Sequence, residues 1–114
     1  MLIEFYAFIV LCILLFIASN YTMSYTIRPY TKRRANDLGV EVQPSKKSGK
    51  KIDVLRDGKI IASVGHLGMG DYPTYMATHD KEFAEERRRL YKRRHERYRT
   101  IKNTPSYWAD QLLW

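Results

Sequence analysis

Cysteine is nearly missing from this chain: Cys12 is the only one in 114 residues. A single thiol excludes an intrachain disulfide and any thiol set able to hold zinc, and it agrees with a reducing, cytosol-facing compartment. Positive charge is missing from residues 1–27, which contain no Lys or Arg and one acid, Glu4. All 20 basic residues therefore lie from Arg28 onward against 11 of the 12 acids, so that part carries +9 and the whole chain +8. A catalytic frame is missing too. His66, His79 and His95 fall on different elements, no Ser or Cys nucleophile sits in a recognisable setting, and no carboxylate pair stands out. The expectation is a protein that is not an enzyme, with no cofactor, no metal and no small-molecule substrate. The length leaves room for one small domain.

What the first 27 residues do contain is apolar. "FYAFIVLCILLFIA", residues 5–18, has no polar side chain beyond the Tyr6 hydroxyl and Cys12. Extended from Leu2 through "SNYTMSYTI", the run reaches roughly 20–25 residues, the length a bilayer requires. Tyr6, Tyr21, Tyr25 and Tyr30 fall near its ends, where aromatic belts form. Phe5, Phe8, Leu11, Leu14, Leu15 and Phe16 are the candidate membrane-facing residues. The cations follow the run instead of preceding it, which argues against a secretory signal and places the amino terminus outside and the body in the cytosol. The expectation is a transmembrane anchor over residues 1–27, with a cleaved signal or a buried helix as alternatives.

Residues 28–50 carry Pro29, Pro44, Gly39, Gly49 and much charge without a sustained period, and read as an extended basic linker. Their cluster from Arg28 to Arg34 reads as a lipid-surface patch, with a nucleic-acid patch as the sharper alternative. "KIDVLRDGKIIASVG" then places two β-favouring runs around Asp57-Gly58, a type I′ hairpin signal. The expected partners are Arg56 with Lys59, Leu55 with Ile60, and Val54 with Ile61. "GHLGMGDY" lacks the spacing and the Lys-Ser/Thr pair of a phosphate loop, and reads as a tight turn.

Residues 78–103 form the long helix candidate, capped by Thr78 or Asp80, acidic at its start, basic at its end and stopped by Pro105. Phe83, Leu90, Tyr91, Tyr98 and Ile101 form a stripe suited to covering the hairpin. Ten Lys or Arg against four Glu between Lys81 and Lys102 exceed what solubility needs and point to an acidic partner. The tail "SYWADQLLW" holds both tryptophans, and it is either the third side of a small core or an anchor for a partner. Helical spacing sets Trp108 and Leu112 on one face to close the core, with Trp114 projecting elsewhere. The candidate partner-binding residues are Arg87, Arg88, Arg89, Arg93, Arg94, Tyr107, Trp108 and Trp114. The expected fold class is α+β: a transmembrane helix, a linker, then residues 51–114 as one β-hairpin, a long basic helix and an aromatic C-terminal segment.

The hairpin, the glycine turn ending in "GDY", His79-Asp80, "RRRLYKRRH" and the closing "YWADQLLW" together resemble a small protein family of nucleocytoplasmic large DNA viruses, including chlorella viruses, iridoviruses and mimivirus-like viruses. The resemblance covers residues 51–114. Its pattern falls on Gly65, Gly68, Asp71, Tyr72, His79, Asp80, Arg89, Tyr91, Arg94, His95, Trp108, Leu112, Leu113 and Trp114. It implies a minor capsid protein of the virion, partnered by major and other minor capsid proteins. With the expected anchor added, the chain would link the virion's internal membrane to the inner side of the capsid, and sit in a host membrane during assembly. A membrane-tethered, basic nucleic-acid-binding protein is the alternative, made less favoured because a body on the capsid side of a membrane cannot reach the enclosed genome.

Overall fold

In the computed structural model, residues 6, 7, 9–11 and 24–114 are described. Residues 24–114 build an α+β domain with a three-stranded antiparallel sheet, β1 (Glu41–Pro44), β2 (Lys50–Arg56) and β3 (Lys59–His66), in the order β1-β2-β3. Four helices accompany it: α1 (Pro29–Asp37), α2 (Tyr72–Thr78), α3 (Lys81–Arg94) and α4 (Pro105–Leu113).

Three expectations change. Among the described residues no helix is long and apolar enough to cross a membrane, so an architecture beginning with a transmembrane helix is not what the fold presents. Of the candidate membrane residues, Leu11 is described and is exposed. Phe5, Phe8, Leu14, Leu15 and Phe16 lie outside the described residues. Second, the single hairpin is a three-stranded sheet, because β1 adds a strand through Val42 opposite Val54. Third, residues 28–50 are not a linker but a helix and a strand of the domain.

The sequence does mark α1, in cues other than periodicity. Pro29 occupies its first turn, where a missing N–H costs nothing. Its end is a Schellman motif: Gly39 N–H donates to the Asn36 carbonyl and Val40 N–H to the Ala35 carbonyl. Ala35 and Val40, the two residues this motif brings together, are both buried.

The hairpin turn forms as the Asp-Gly pair requires, with φ of 53° at Asp57 and 75° at Gly58. Arg56 pairs with Lys59 and Leu55 with Ile60, but Val54 pairs with Ala62 because a bulge intervenes between Val54 and Leu55. The bulge leaves Ile61 exposed. Alternation then sorts the faces. Ile52, Val54 and Val64 join the core with Trp108, Leu112, Leu113 and Trp114. Gln43, Asp53 and Ser63 are register partners on the other face. There the Asp53 carboxylate accepts from Ser63 Oγ at 2.7 Å, Lys46 N–H at 3.1 Å, the Ser45 hydroxyl and the Gln43 amide. Burial alone would raise its pKa, but these donors hold it down at about 2.

The long basic helix is shorter than expected: of residues 78–103 only α3, Lys81–Arg94, forms a helix, and Thr78 ends the separate α2 before it. Asp71 caps α2, accepting from Thr74 N–H at 2.9 Å, and Asp80 caps α3, accepting from Phe83 N–H at 2.7 Å. α3 ends at Arg94, and Pro105 opens α4 instead of stopping the basic helix. Tyr98 and Ile101 of the expected stripe lie beyond α3 and are exposed. It is α4, not the basic helix, that covers the sheet at β3; α3 packs on α2, and α1 on α4 and β1.

The attachment of α1 to α4 is largely polar. The last carbonyls of a helix lack intrahelical partners. Here Thr31 Oγ1 donates to the Leu112 carbonyl at 2.9 Å, Arg34 Nε to the Gln111 carbonyl at 2.9 Å, and the Tyr30 hydroxyl to the Trp114 carbonyl at 3.3 Å. Beneath, Lys51 on β2 pairs with Asp71 at 2.7 Å in near-complete burial, and the Tyr25 hydroxyl donates to the same carboxylate at 2.6 Å. Burial opposes the Asp71 charge, yet Lys51, Tyr25 and Thr74 together lower its pKa. Gly65, with φ of 82°, passes close over this pair: a Cβ there would stand 2.8 Å from Lys51 and 2.9 Å from Leu113.

Candidate partner-binding groove

Between α3, α4 and the end of the sheet runs a groove of about 1040 Å³. Arg87, Leu90, Tyr91 and Arg94 face it from α3, spaced three and four apart so that one helical face presents all four. The sheet contributes Lys50 and Gly65, and α4 contributes Ala109 and Leu113 with Trp114 following.

Its floor is a ladder of rings. Trp114 stacks on Tyr91 with centroids 4.3 Å apart and planes 6° from parallel, and Tyr91 stacks on His95 at 4.2 Å and 26°. Tyr75 leans on the other side of Trp114 at 6.3 Å. Burial pushes the Tyr91 hydroxyl up to about 12, helped by the nearby Asp110 carboxylate. Burial and the adjacent Arg94 cation lower the His95 pKa, against the pull of Asp110, which favours a neutral ring at pH 7. The groove's charge therefore comes from Lys and Arg.

That charge is unbalanced. Among the described residues no Asp or Glu lines the groove. Among the described residues, Lys50, Arg87, Arg93 and Arg94 form no ion pair, whereas Lys51 is neutralised by Asp71. Asp110 is buried under Lys92 at 3.1 Å and Arg99 at 3.7 Å, which ties the end of the basic segment to α4. The wall carrying the cations is thereby held against the wall carrying Trp114. Such a surface accepts an anionic group at its rim and an apolar or aromatic one at its floor. Among the described residues no three His, Cys, Asp or Glu side chains converge as metal ligands.

The structure brings together four of the eight candidate partner-binding residues, Arg87, Arg93, Arg94 and Trp114. It separates the others. Arg88 faces a different cleft, with its guanidinium 4.6 Å from the Tyr72 ring centre. Arg89 pairs with Glu86 at 2.7 Å on the exposed side of α3. Trp108 is 2% exposed and belongs to the core, flanked by Tyr107 at 5.1 Å and by the Arg56 guanidinium at 5.6 Å. Trp114, expected to project outward, is itself only 9% exposed. It forms the groove's floor, not a free anchor. Lys50, Tyr75 and His95 line the groove without being among the eight candidates; the spacing of Arg87, Tyr91, Arg94 and His95 along one helical face is the signal that marks the last.

No family model, no curated protein and no solved structure matches this chain.

Proposed function

We propose that this chain is a structural, protein-binding component of a large DNA virus particle, a minor capsid protein as its residue pattern implies. Its groove receives an acidic, aromatic- or aliphatic-bearing segment of a neighbouring capsid protein. The observation that carries the binding role is the pairing of a ring-stacked floor with a cationic rim that, among the described residues, no Asp or Glu side chain pairs. Buried aromatics and arginines are the groups that dominate protein interfaces.

The test reverses the rim charge while sparing the floor. Arg87→Glu combined with Arg94→Glu touches two exposed side chains that form no ion pair among the described residues, so thermal unfolding of the full chain is expected to change little. Incorporation into virions, and crosslinks from Lys50 to the major capsid protein, are expected to fall at least tenfold, since an interface hot spot is worth about 2 kcal/mol or more. Normal incorporation of the double variant refutes the reading. Submicromolar duplex binding, with a log–log salt slope of about −0.9 per phosphate contacted, would replace it with nucleic-acid recognition.

A further inference from the structure

A second cleft, of about 430 Å³, opens on another part of the surface, where the start of α1 meets α2 and α3. Its floor is apolar and aromatic: Pro29, Tyr30, Tyr72, Pro73, Met76 and Ala77. Tyr30 and Tyr72 meet edge to face at 5.3 Å and 61°. Three arginines, Arg28, Arg33 and Arg88, line this cleft from two helices and the residue before α1. Among the described residues no Asp or Glu lines it, and none of the three arginines forms an ion pair.

The chemistry of these three is specific. Arg88 is held over the Tyr72 ring at 4.6 Å, and its neighbour Glu85 accepts from the Tyr72 hydroxyl at 2.9 Å. The Arg28 Nε is buried and has no acceptor, the one such side-chain atom among the described residues. A buried donor without an acceptor is unfavourable, and the Arg28 side chain that carries it also lines the cleft. The first N–H groups of α1 add positive partial charge at the same end. One guanidinium fork saturates a carboxylate, whereas three match the charge and terminal oxygens of a phosphate monoester. The tyrosine and proline floor suits a flat or apolar body attached to that phosphate.

We infer that the cleft between α1, α2 and α3 is a binding site for a phosphate monoester carried on a compact apolar or aromatic body, gripped by Arg28, Arg33 and Arg88. The site is separate from the groove of the proposed function and does not rest on that reading. Its ligand has two chemical sources, a soluble aryl phosphate or the headgroup of a phosphorylated lipid, and one experiment separates them.

The probes are phenyl phosphate, inorganic phosphate and phosphatidic acid vesicles, added to the full chain. Phenyl phosphate is expected to bind saturably and about tenfold more tightly than inorganic phosphate, because the floor contributes. Arg28→Gln is expected to weaken it at least tenfold, while Arg89→Gln, on the outer face of α3, leaves it unchanged. The Met76 methyl resonance of the unaltered chain is expected to shift on titration, a readout that survives any folding defect in a variant. Vesicle binding competed by phenyl phosphate and lost in Arg28→Gln assigns the lipid source. Phenyl phosphate binding without such vesicle binding assigns the soluble one. Absence of saturable phenyl phosphate binding, an unmoved Met76 signal, or equal effects of Arg28→Gln and Arg89→Gln overturns the inference.

Discussion

Replacing Lys51 by Met tests the buried ion pair that joins the sheet to the start of α2. The Lys51 ammonium lies 2.7 Å from Asp71, with the two side chains 4% and 1% exposed. Methionine conserves the unbranched stem and most of the volume, so the change removes charge with little loss of packing. It leaves the Asp71 carboxylate buried with two donors, the Tyr25 hydroxyl and the Thr74 N–H. Breaking a buried pair from one side costs about 3–5 kcal/mol, and the surviving donors favour the lower end, about 3 kcal/mol. For a domain of this size that corresponds to a fall in Tm of about 12–24 °C. The pH dependence carries more information than the cost. In the unaltered protein the folded Asp71 pKa is lowered, so its contribution is present above the unfolded pKa and lost as pH falls through the folded one. Without Lys51, burial dominates and raises the folded pKa above the unfolded one. A group raised in this way stabilises at low pH and loses that contribution as pH rises through its folded pKa. The gap between Lys51→Met and the unaltered chain is therefore expected to be widest near pH 7 and to narrow on acidification. Urea unfolding followed by tryptophan fluorescence measures it, since Trp108 and Trp114 both report on the core. A gap below about 1 kcal/mol at pH 7, or one that widens toward acid, refutes the account.

Two further substitutions separate packing from charge. Trp114→Ala removes a ring stacked 4.3 Å from Tyr91 and is expected to cost about 3–5 kcal/mol of folding stability by thermal unfolding, which a purely docking tryptophan would not. Asp53→Asn is expected to cost about 2 kcal/mol at pH 7, from a pKa lowered from 3.8 to about 2 by its donors. Because that pKa is depressed, the contribution is full above the unfolded value and lost as pH falls through the folded one. The Asn variant and the unaltered chain are therefore expected to converge between about pH 4 and pH 2 in denaturant melts, and a gap constant across that range contradicts the assigned donors.

The parts of the fold legible in the sequence are those that local chemistry dictates. Asp57-Gly58 specified its turn, Asp80 its cap, and Trp108 with Leu112 their places in the core, because each depends on near neighbours in the chain. The parts missed depend on polar partners remote in sequence. α1 carries no apolar stripe, since Thr31 and Arg34 hold it by bonding carbonyls of Leu112 and Gln111 some eighty residues away. Hydrophobic periodicity marks only apolar attachment, so a helix fixed by hydroxyl and guanidinium donors reads as linker. The Val54–Ala62 register slipped for a related reason: nothing in "KIIASV" announces a bulge, and the core's demand for Val64 beside Ile52 decided it.

The same distinction governs the candidate sites. A run of arginines in sequence reads as one basic surface, but a helix deals consecutive residues to different faces. Arg87 and Arg94 turn to the groove, Arg88 to the second cleft, and Arg89 to solvent and Glu86. Three adjacent residues thus serve three environments, and their charges are not interchangeable. Net charge alone would predict equal losses for charge removal anywhere along α3. The fold predicts unequal ones: loss of partner binding at Arg87, loss of phosphate binding at Arg88, and neither at Arg89. A basic helix acting as a uniform polyanion patch would give the same salt-dependent loss at all three positions. That comparison of neighbouring single substitutions decides whether the helix is a charge reservoir or a divider between two built sites.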